Sequence, residues 1–332
     1  MLFFGLSKNV SAKKFTILLP SQSEHILYSY IWIAKEKGFF EQEGLDVEIS
    51  VNDDASIPAQ VSLDPDYPVG VIAIESLFEK EIYAQNIIPF MFFLYGASET
   101  STYDTHLVVS KKSGIKSADG LKGRTIRVGF PPTKIALKNI LKEAGLELSD
   151  VKLNNAEAHQ TLDLIRSGEI DGGITYFPTM PVMLASGDVD VLKRNIFSNY
   201  VMNYVPQSFI AVNKDFAAEN PAIIRKFLQA MDNAVDYGAE NPVEIIKSYG
   251  KLKSFGKSSW ILDEDLIEKG AALIPEIPIK ELDDFYVEDG KKETIYEVLN
   301  EYQDLLQKEG YIKDKINLQP LWDNYLAFKS FT

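Results

Sequence analysis

The sequence predicts a two-lobed α/β fold, each lobe a mostly parallel sheet flanked by helices, with a helical C-terminal third. From residue 15 to about residue 200, short β-branched runs alternate with helical patterns, as parallel strands and their crossover helices do. One more strand pattern, Ser208 to Val212, then returns before the helices take over, as it would if the chain left one lobe, built a second and came back. Apolar residues make up 45% of the 332 positions and charged residues 25%, enough to bury two ordinary cores.

The strand candidates are Phe15 to Leu19, Val47 to Val51, Val69 to Ile74, Phe90 to Leu94, His106 to Ser110, Thr125 to Val128, Val151 to Leu153, Gly172 to Thr175, Val189 to Leu192 and Ser208 to Val212. All are brief and apolar, as strands covered on both faces are. Leu137, Ile140, Leu141 and Ala144 fall at i, i+3, i+4, i+7 with Gly145 as the stop, which predicts an amphipathic helix. Asn220 reads as a cap and Pro221 as the first helical residue of a stripe through Ile224, Phe227, Leu228, Met231 and Val235, ended by Gly238. Asn241-Pro242 restarts a helix that ends near Gly250. Ile295, Val298, Leu299, Tyr302 and Leu306 form another stripe, closed by Gly310. The expected division is lobe one over 15–107 and 207–332 and lobe two over 108–206, with Val108 to Ser110 and Tyr204 to Gln207 as a two-stranded hinge.

Residues 1–14 read as a leader or signal-peptide remnant. Met1 to Leu6 is an apolar patch, and Val10-Ser11-Ala12 carries small residues spaced like a peptidase site. The longest apolar stretch, Ile87 to Ala97, contains Pro89 and is too short for a membrane span of about 20 residues.

Charge and composition exclude several classes of function. With 34 Lys+Arg against 48 Asp+Glu, the net charge is −14, which opposes binding to nucleic acid or anionic lipid. The absence of cysteine rules out disulfides, thiolate metal sites and a cysteine nucleophile. His25, His106 and His159 have no i, i+4 pairing for zinc, so neither metal nor cofactor is expected. The acid pairs Asp53-Asp54, Asp64 with Asp66, and Asp283-Asp284 sit in charged stretches with no apolar neighbours to raise a pKa. No dinucleotide fingerprint, phosphate loop, nucleophile elbow or kinase signature is present, and the chain is expected not to be an enzyme.

What stands out is a grouping of rings and hydroxyls at strand ends. Tyr28, Tyr30 and Trp32 follow the first strand, Tyr95 ends the fourth, Phe130 the sixth, and Tyr176-Phe177 the eighth, with Tyr204 on the return segment. His25 lies in the polar loop Ser21 to His25 directly after the first strand, the end of an open parallel sheet that meets ligands. Gly129-Phe-Pro-Pro-Thr133 leads into a helix whose N-terminus either holds a polar group or is simply capped. The candidate ligand-binding set is Ser21, Ser23, His25, Tyr30, Ser76, Tyr95, Phe130, Thr133, Thr175, Tyr176 and Tyr204.

Four stretches together resemble a known family. Trp32-Ile-Ala-Lys-Glu-Lys-Gly-Phe-Phe-Glu-Gln-Glu-Gly-Leu-Asp-Val47 is similar to the opening signature of ABC-transporter substrate-binding proteins in the sulfonate, nitrate and thiamine-pyrimidine branch of the type II periplasmic binding proteins. Ser113 to Gly123 resembles the entry to that family's second lobe, Leu164 to Asp171 its helix-to-strand junction, and Asp215 to Pro221 its return into lobe one. The resemblance spans 15–332 and implies a small-molecule solute bound in the cleft, an ABC permease as partner, a monomer, and a periplasmic or extracytoplasmic location. Tyr176-Phe177 stands where the family commonly places a tryptophan, so the pocket's shape does not carry over. A related branch, the pyrimidine synthases, consumes its own histidine and carries a cysteine cluster; this chain has no cysteine.

Rings at the strand ends point to an aromatic or heteroaromatic solute, such as a thiamine-type pyrimidine. Arg124, Arg127, Arg166 and Arg194 are expected to lie away from the candidate loops, which disfavours the alternative, an alkylsulfonate- or nitrate-type oxyanion.

Overall fold

All ten runs read as strands form strands in the computed structural model, which describes residues 13–21, 26–96, 105–177, 179–251, 258–274, 285–286 and 292–329. The chain opens with β1 (Lys13–Pro20), α1 (Ile26–Glu36), α2 (Phe39–Gln42), β2 (Leu45–Asn52), α3 (Ile57–Leu63), β3 (Val69–Ala73), α4 (Ile74–Leu77), α5 (Glu81–Asn86) and β4 (Ile87–Gly96). It then builds β5 (His106–Ser110), β6 (Thr125–Arg127), α6 (Pro131–Glu143), β7 (Lys152–Asn154), α7 (Thr161–Ser167), β8 (Gly172–Thr175), α8 (Thr179–Ser186), β9 (Val189–Lys193) and α9 (Ile196–Tyr200). After β10 (Tyr204–Asn213) come α10 (Lys214–Glu219), α11 (Pro221–Glu240), α12 (Pro242–Ser248), α13 (Glu264–Ala271), the short β11 (Phe285–Tyr286) and β12 (Lys292–Glu293), α14 (Ile295–Lys308) and α15 (Gln319–Lys329).

Two five-stranded sheets result, ordered β2-β1-β3-β10-β4 and β7-β6-β8-β5-β9. In each, four strands run one way and one runs against them: β10 is antiparallel to β3 and β4, and β5 is antiparallel to β8 and β9. The reversed strand is the one that has just crossed from the other lobe, so the crossing itself dictates the exception to parallel order. Ile17, Leu18 and Leu19 of β1 are all buried, as expected of a strand covered on both faces.

The strand pairings do not join the two segments expected to form the hinge. β5 pairs along its length inside the second sheet, so Val108 to Ser110 are not partners of Tyr204 to Gln207. β10 instead pairs with the far end of β4, Tyr204 opposite Gly96 and Val205 opposite Tyr95. Register shifts at Gln207 and Phe209, with Met91 at φ 43°, interrupt this ladder. Lys13 and Lys14 belong to β1, opposite Leu45 and Asp46, so ordered structure begins before the expected end of the leader. Residues 1–12 lie outside the described residues, as do Ser23 and His25.

The helical stripes bury as their spacing requires. Ile295, Val298, Leu299, Tyr302 and Leu306 are all buried on α14, whose start carries a Thr294–Glu297 capping box. Gly145 and Gly310 take the left-handed conformation just past their helices. Gly238 does not end its helix: α11 runs on to Glu240, and a Cβ at 238 would meet the Tyr30 ring at 2.7 Å. The glycine is there for close packing. Asn220 precedes α11 without a side-chain cap, its amide donating back to Phe216 O of α10 at 2.9 Å. Among the described residues no helix is long and apolar enough to cross a membrane.

Candidate functional site

The ends of β4, β6 and β8 bring four rings together across the two lobes. Tyr95 of lobe one lies 5.9 Å from Tyr176 and 5.3 Å from Phe197 of lobe two, centroid to centroid. Phe130 completes the group at 5.5 Å from Tyr176 and 5.7 Å from Phe197. These are edge-on and tilted contacts, the geometry that aromatic quadrupoles favour. Three of the four rings were singled out in the sequence. Phe197 was not, because α9 is a five-residue helix with no stripe to flag it.

Beside the Tyr176 ring sits a cation that the sequence reading placed elsewhere. Arg127, the last residue of β6, is 2% exposed. Its Nε donates to Ala156 O at 2.8 Å and its Nη1 to Ile174 O at 3.0 Å, while Nη2 reaches the Tyr176 hydroxyl at 3.5 Å. The guanidinium lies 5.6 Å from the Tyr176 centroid. Gly129 leaves it room, since a Cβ there would approach Nη2 to 3.0 Å. Among the described residues no carboxylate lies within ion-pair distance of it; Glu157 acts from further off, its carboxyl pushed up by burial and drawn partly back by the Arg127 charge. A buried guanidinium held mainly by carbonyls retains most of its field. Arg127 therefore lies at the strand-end rings, not away from them as the sequence predicted.

The helix end at Thr133 is engaged with itself. Pro131 and Pro132 have no N–H to offer, and the Thr133 N–H donates to Phe130 O at 3.1 Å. The Thr133 hydroxyl donates to Phe130 O at 2.7 Å and accepts from Gly129 N–H at 2.8 Å. Those donors hold the loop that carries Phe130. They do not form the anion nest weighed in the sequence reading.

The other candidates divide. Thr175, buried at the end of β8 between Ile174 and Tyr176, and Ser208, buried on β10 opposite Phe93, have hydroxyls with no hydrogen-bond partner among the described residues. Tyr204 is buried at the start of β10, opposite Gly96. Ser21 and Ser76 are half-buried just past the ends of β1 and β3. Tyr30, by contrast, spends its ring on Gly238 of α11, inside the lobe-one helix packing. Tyr28 stacks on Tyr249 at 6.1 Å, and burial pushes its phenol up to about 12. Among the described residues no group of three His, Asp or Glu side chains could hold a metal ion.

One half-buried acid, Glu75, lies just past β3. The Tyr302 hydroxyl donates to Glu75 Oε1, and desolvation raises the Glu75 carboxyl from its ordinary 4.5 despite that bond. The folded state therefore keeps this proton after the unfolded chain has lost it. The group's contribution is full below the unfolded value and is lost as pH rises through the folded one. Glu75→Gln is thus expected to melt higher than the parent at pH 7, with a smaller gain at pH 4, in paired thermal scans. An equal gain at both pH values would contradict the assignment.

The sequence family described as "NMT1/THI5 like" matches residues 27–245. A protein of Brucella abortus (strain 2308), provisionally named a binding protein, is 25% identical over 237 residues, 68% of each chain. A 4-amino-5-hydroxymethyl-2-methylpyrimidine phosphate synthase of Aspergillus parasiticus is 26% identical over 235 residues, 67% of this chain and 66% of its own. Among solved structures, the periplasmic aliphatic sulphonate binding protein SsuA from Escherichia coli superposes with a TM-score of 0.64 at 16% identity, covering 93% of this chain and 92% of its own. That likeness places the fold among the periplasmic binding proteins.

Proposed function

Since the chain belongs to the NMT1/THI5-like family, we propose that it is the solute-binding receptor of an ABC importer, working outside the cytoplasm and handing a small molecule to a membrane permease. The observation that carries this reading is the meeting of Tyr95 from lobe one with Tyr176 and Phe197 from lobe two. A site whose walls come from both lobes is complete only when the lobes are together, so capture and closure become one event.

The solute we infer is a small organic acid with a flat apolar body. Rings supply faces for the body, and the Tyr176 hydroxyl, with Arg127 Nη2 behind it, supplies a polarised donor for the charged end. This keeps the aromatic solute favoured from sequence and adds a charged end, because Arg127 lies at the rings where no arginine was expected. Binding without conversion fits a chain with no cysteine, whereas the synthase branch carries a cysteine cluster.

Tyr95→Ala and Tyr176→Ala should each lower solute affinity by about 1–3 kcal/mol, the range found for bases stacked on aromatic side chains. Calorimetry on the two variants checks this. Parental affinity in both would place the solute elsewhere. X-ray scattering should also show a smaller radius of gyration in the saturated protein than in the free one, and equal radii would count against closure.

A further inference from the structure

Two segments of lobe one, α12 and α14, are separated by a stretch that lies on the other lobe. α12 packs on α1 and α14 on β10, yet α13 between them packs on α8 of lobe two as well as on α12. The turn before α13 is fixed to lobe two at the corner around 158–163. Trp260 is fully buried there, its indole N–H donating to His159 O at 2.8 Å. The Ser258 hydroxyl lies 3.0 Å from the same carbonyl and 2.6 Å from His159 Nδ1, and so links the segment to both the backbone and the ring of His159. Ser259 donates its N–H to Asp163 Oδ2 at 2.8 Å and its hydroxyl to Oδ1. Further along, Gly270 lies so close to α8 that a Cβ would stand 3.1 Å from the Val182 backbone. On the lobe-one side, Lys247 and Glu264 make a 3.8 Å ion pair that is largely exposed.

We propose that residues 258–274 form a latch: a third crossing between the lobes, alongside β4 and β10, whose docking at His159 and Asp163 biases the cleft toward closure, a movement that solute then completes. The asymmetry of its contacts supports this. A buried indole and five hydrogen bonds tie the latch to lobe two, and its two ends tie it to lobe one through the chain. Hinge opening at Gly96 and Tyr204 separates these attachments, so the docked indole and the closed cleft stabilise each other. The latch rests on the lobe-closure reading above but not on the nature of the solute.

The test uses the full chain without solute. Trp32→Phe and Trp322→Phe leave Trp260 as the sole tryptophan, and its emission reports docking while scattering reports closure. In that background the free protein should show a radius of gyration below that of the undocked variants and a blue-shifted, poorly quenched indole. Asp163→Ala with Ser259→Ala, which alters only half-exposed to exposed side chains, should raise the radius and red-shift the emission together. In the parent tryptophan background, Trp260→Phe, which keeps a ring but removes the donor to His159 O, should raise the radius as well. An unchanged radius in both variants overturns the latch, whatever the emission does. So does a radius in the unaltered free protein as large as that of the undocked variants with Trp260 still buried, since the segment would then merely travel with lobe two. Either failure leaves solute affinity, and the receptor reading with it, untouched.

Discussion

Arg127→Met is expected to weaken binding of an anionic ring solute by about 2–3 kcal/mol, roughly 30- to 150-fold, the scale of a lost hydrogen bond to a charged group. The guanidinium is buried and carries its charge to the strand end where Tyr95, Phe130, Tyr176 and Phe197 meet. A neutral analogue of the same shape gains nothing from that charge, so its affinity should change far less. The substitution also strands the carbonyls of Ala156 and Ile174, which the guanidinium now satisfies, and some loss of stability will accompany it. Fold damage alone would weaken both solutes alike. The ratio of the two affinities, measured by calorimetry, is therefore the quantity that reports charge recognition, and Arg127→Lys should restore part of it. An unchanged ratio would reduce Arg127 to a brace for the β6–β8 ends.

The second large effect is on the fold. Gly172 opens β8 in the middle of the second sheet, and a Cβ there would stand 2.5 Å from the Val108 carbonyl oxygen and 3.2 Å from Val109 Cα. Both obstacles are backbone, so no rotamer change relieves them. Gly172→Ala must push β5 from β8, and a cost of about 3 kcal/mol, the upper end for overpacking, is expected in denaturant unfolding. Gly120→Ala is the control: its nearest neighbour is the Ile115 side chain at 3.4 Å, an ordinary contact, and the change should stay within about 0.5 kcal/mol. Equal stability of the two variants would contradict the packing described for lobe two.

These two residues also mark what could and could not be seen in the sequence. Local patterns carried over well: each of the ten apolar runs became a strand, and the 295–306 stripe became the buried face of α14. Period and capping are properties of neighbouring residues, so a reader of the chain has them in hand. Arg127 was misplaced because its surroundings come from Ala156, Ile174 and Tyr176, up to 49 residues away, through the β6–β8 pairing. Gly238 was read as a helix stop because nothing near it in sequence announces Tyr30. The 258–274 segment had the same difficulty: Trp260 finds its partner at His159, 101 residues earlier. Ring residues at strand ends were legible, since strand ends are local. The cation beside Tyr176 was not.

A thermal-shift panel tests the central claim most directly. It would pair benzenesulfonate, benzoate and pyrimidine carboxylates with neutral counterparts of the same shape, alongside alkylsulfonates and inorganic oxyanions, with mass spectrometry of solute and protein afterwards. A ligand that binds only the folded state raises the melting point with saturable dependence on its concentration. The account predicts such a rise for flat organic acids, larger than for their neutral counterparts or for inorganic oxyanions, with solute and protein recovered unaltered. A solute chemically converted during incubation, a modified His25, or a panel in which neutral and charged members act alike would contradict it.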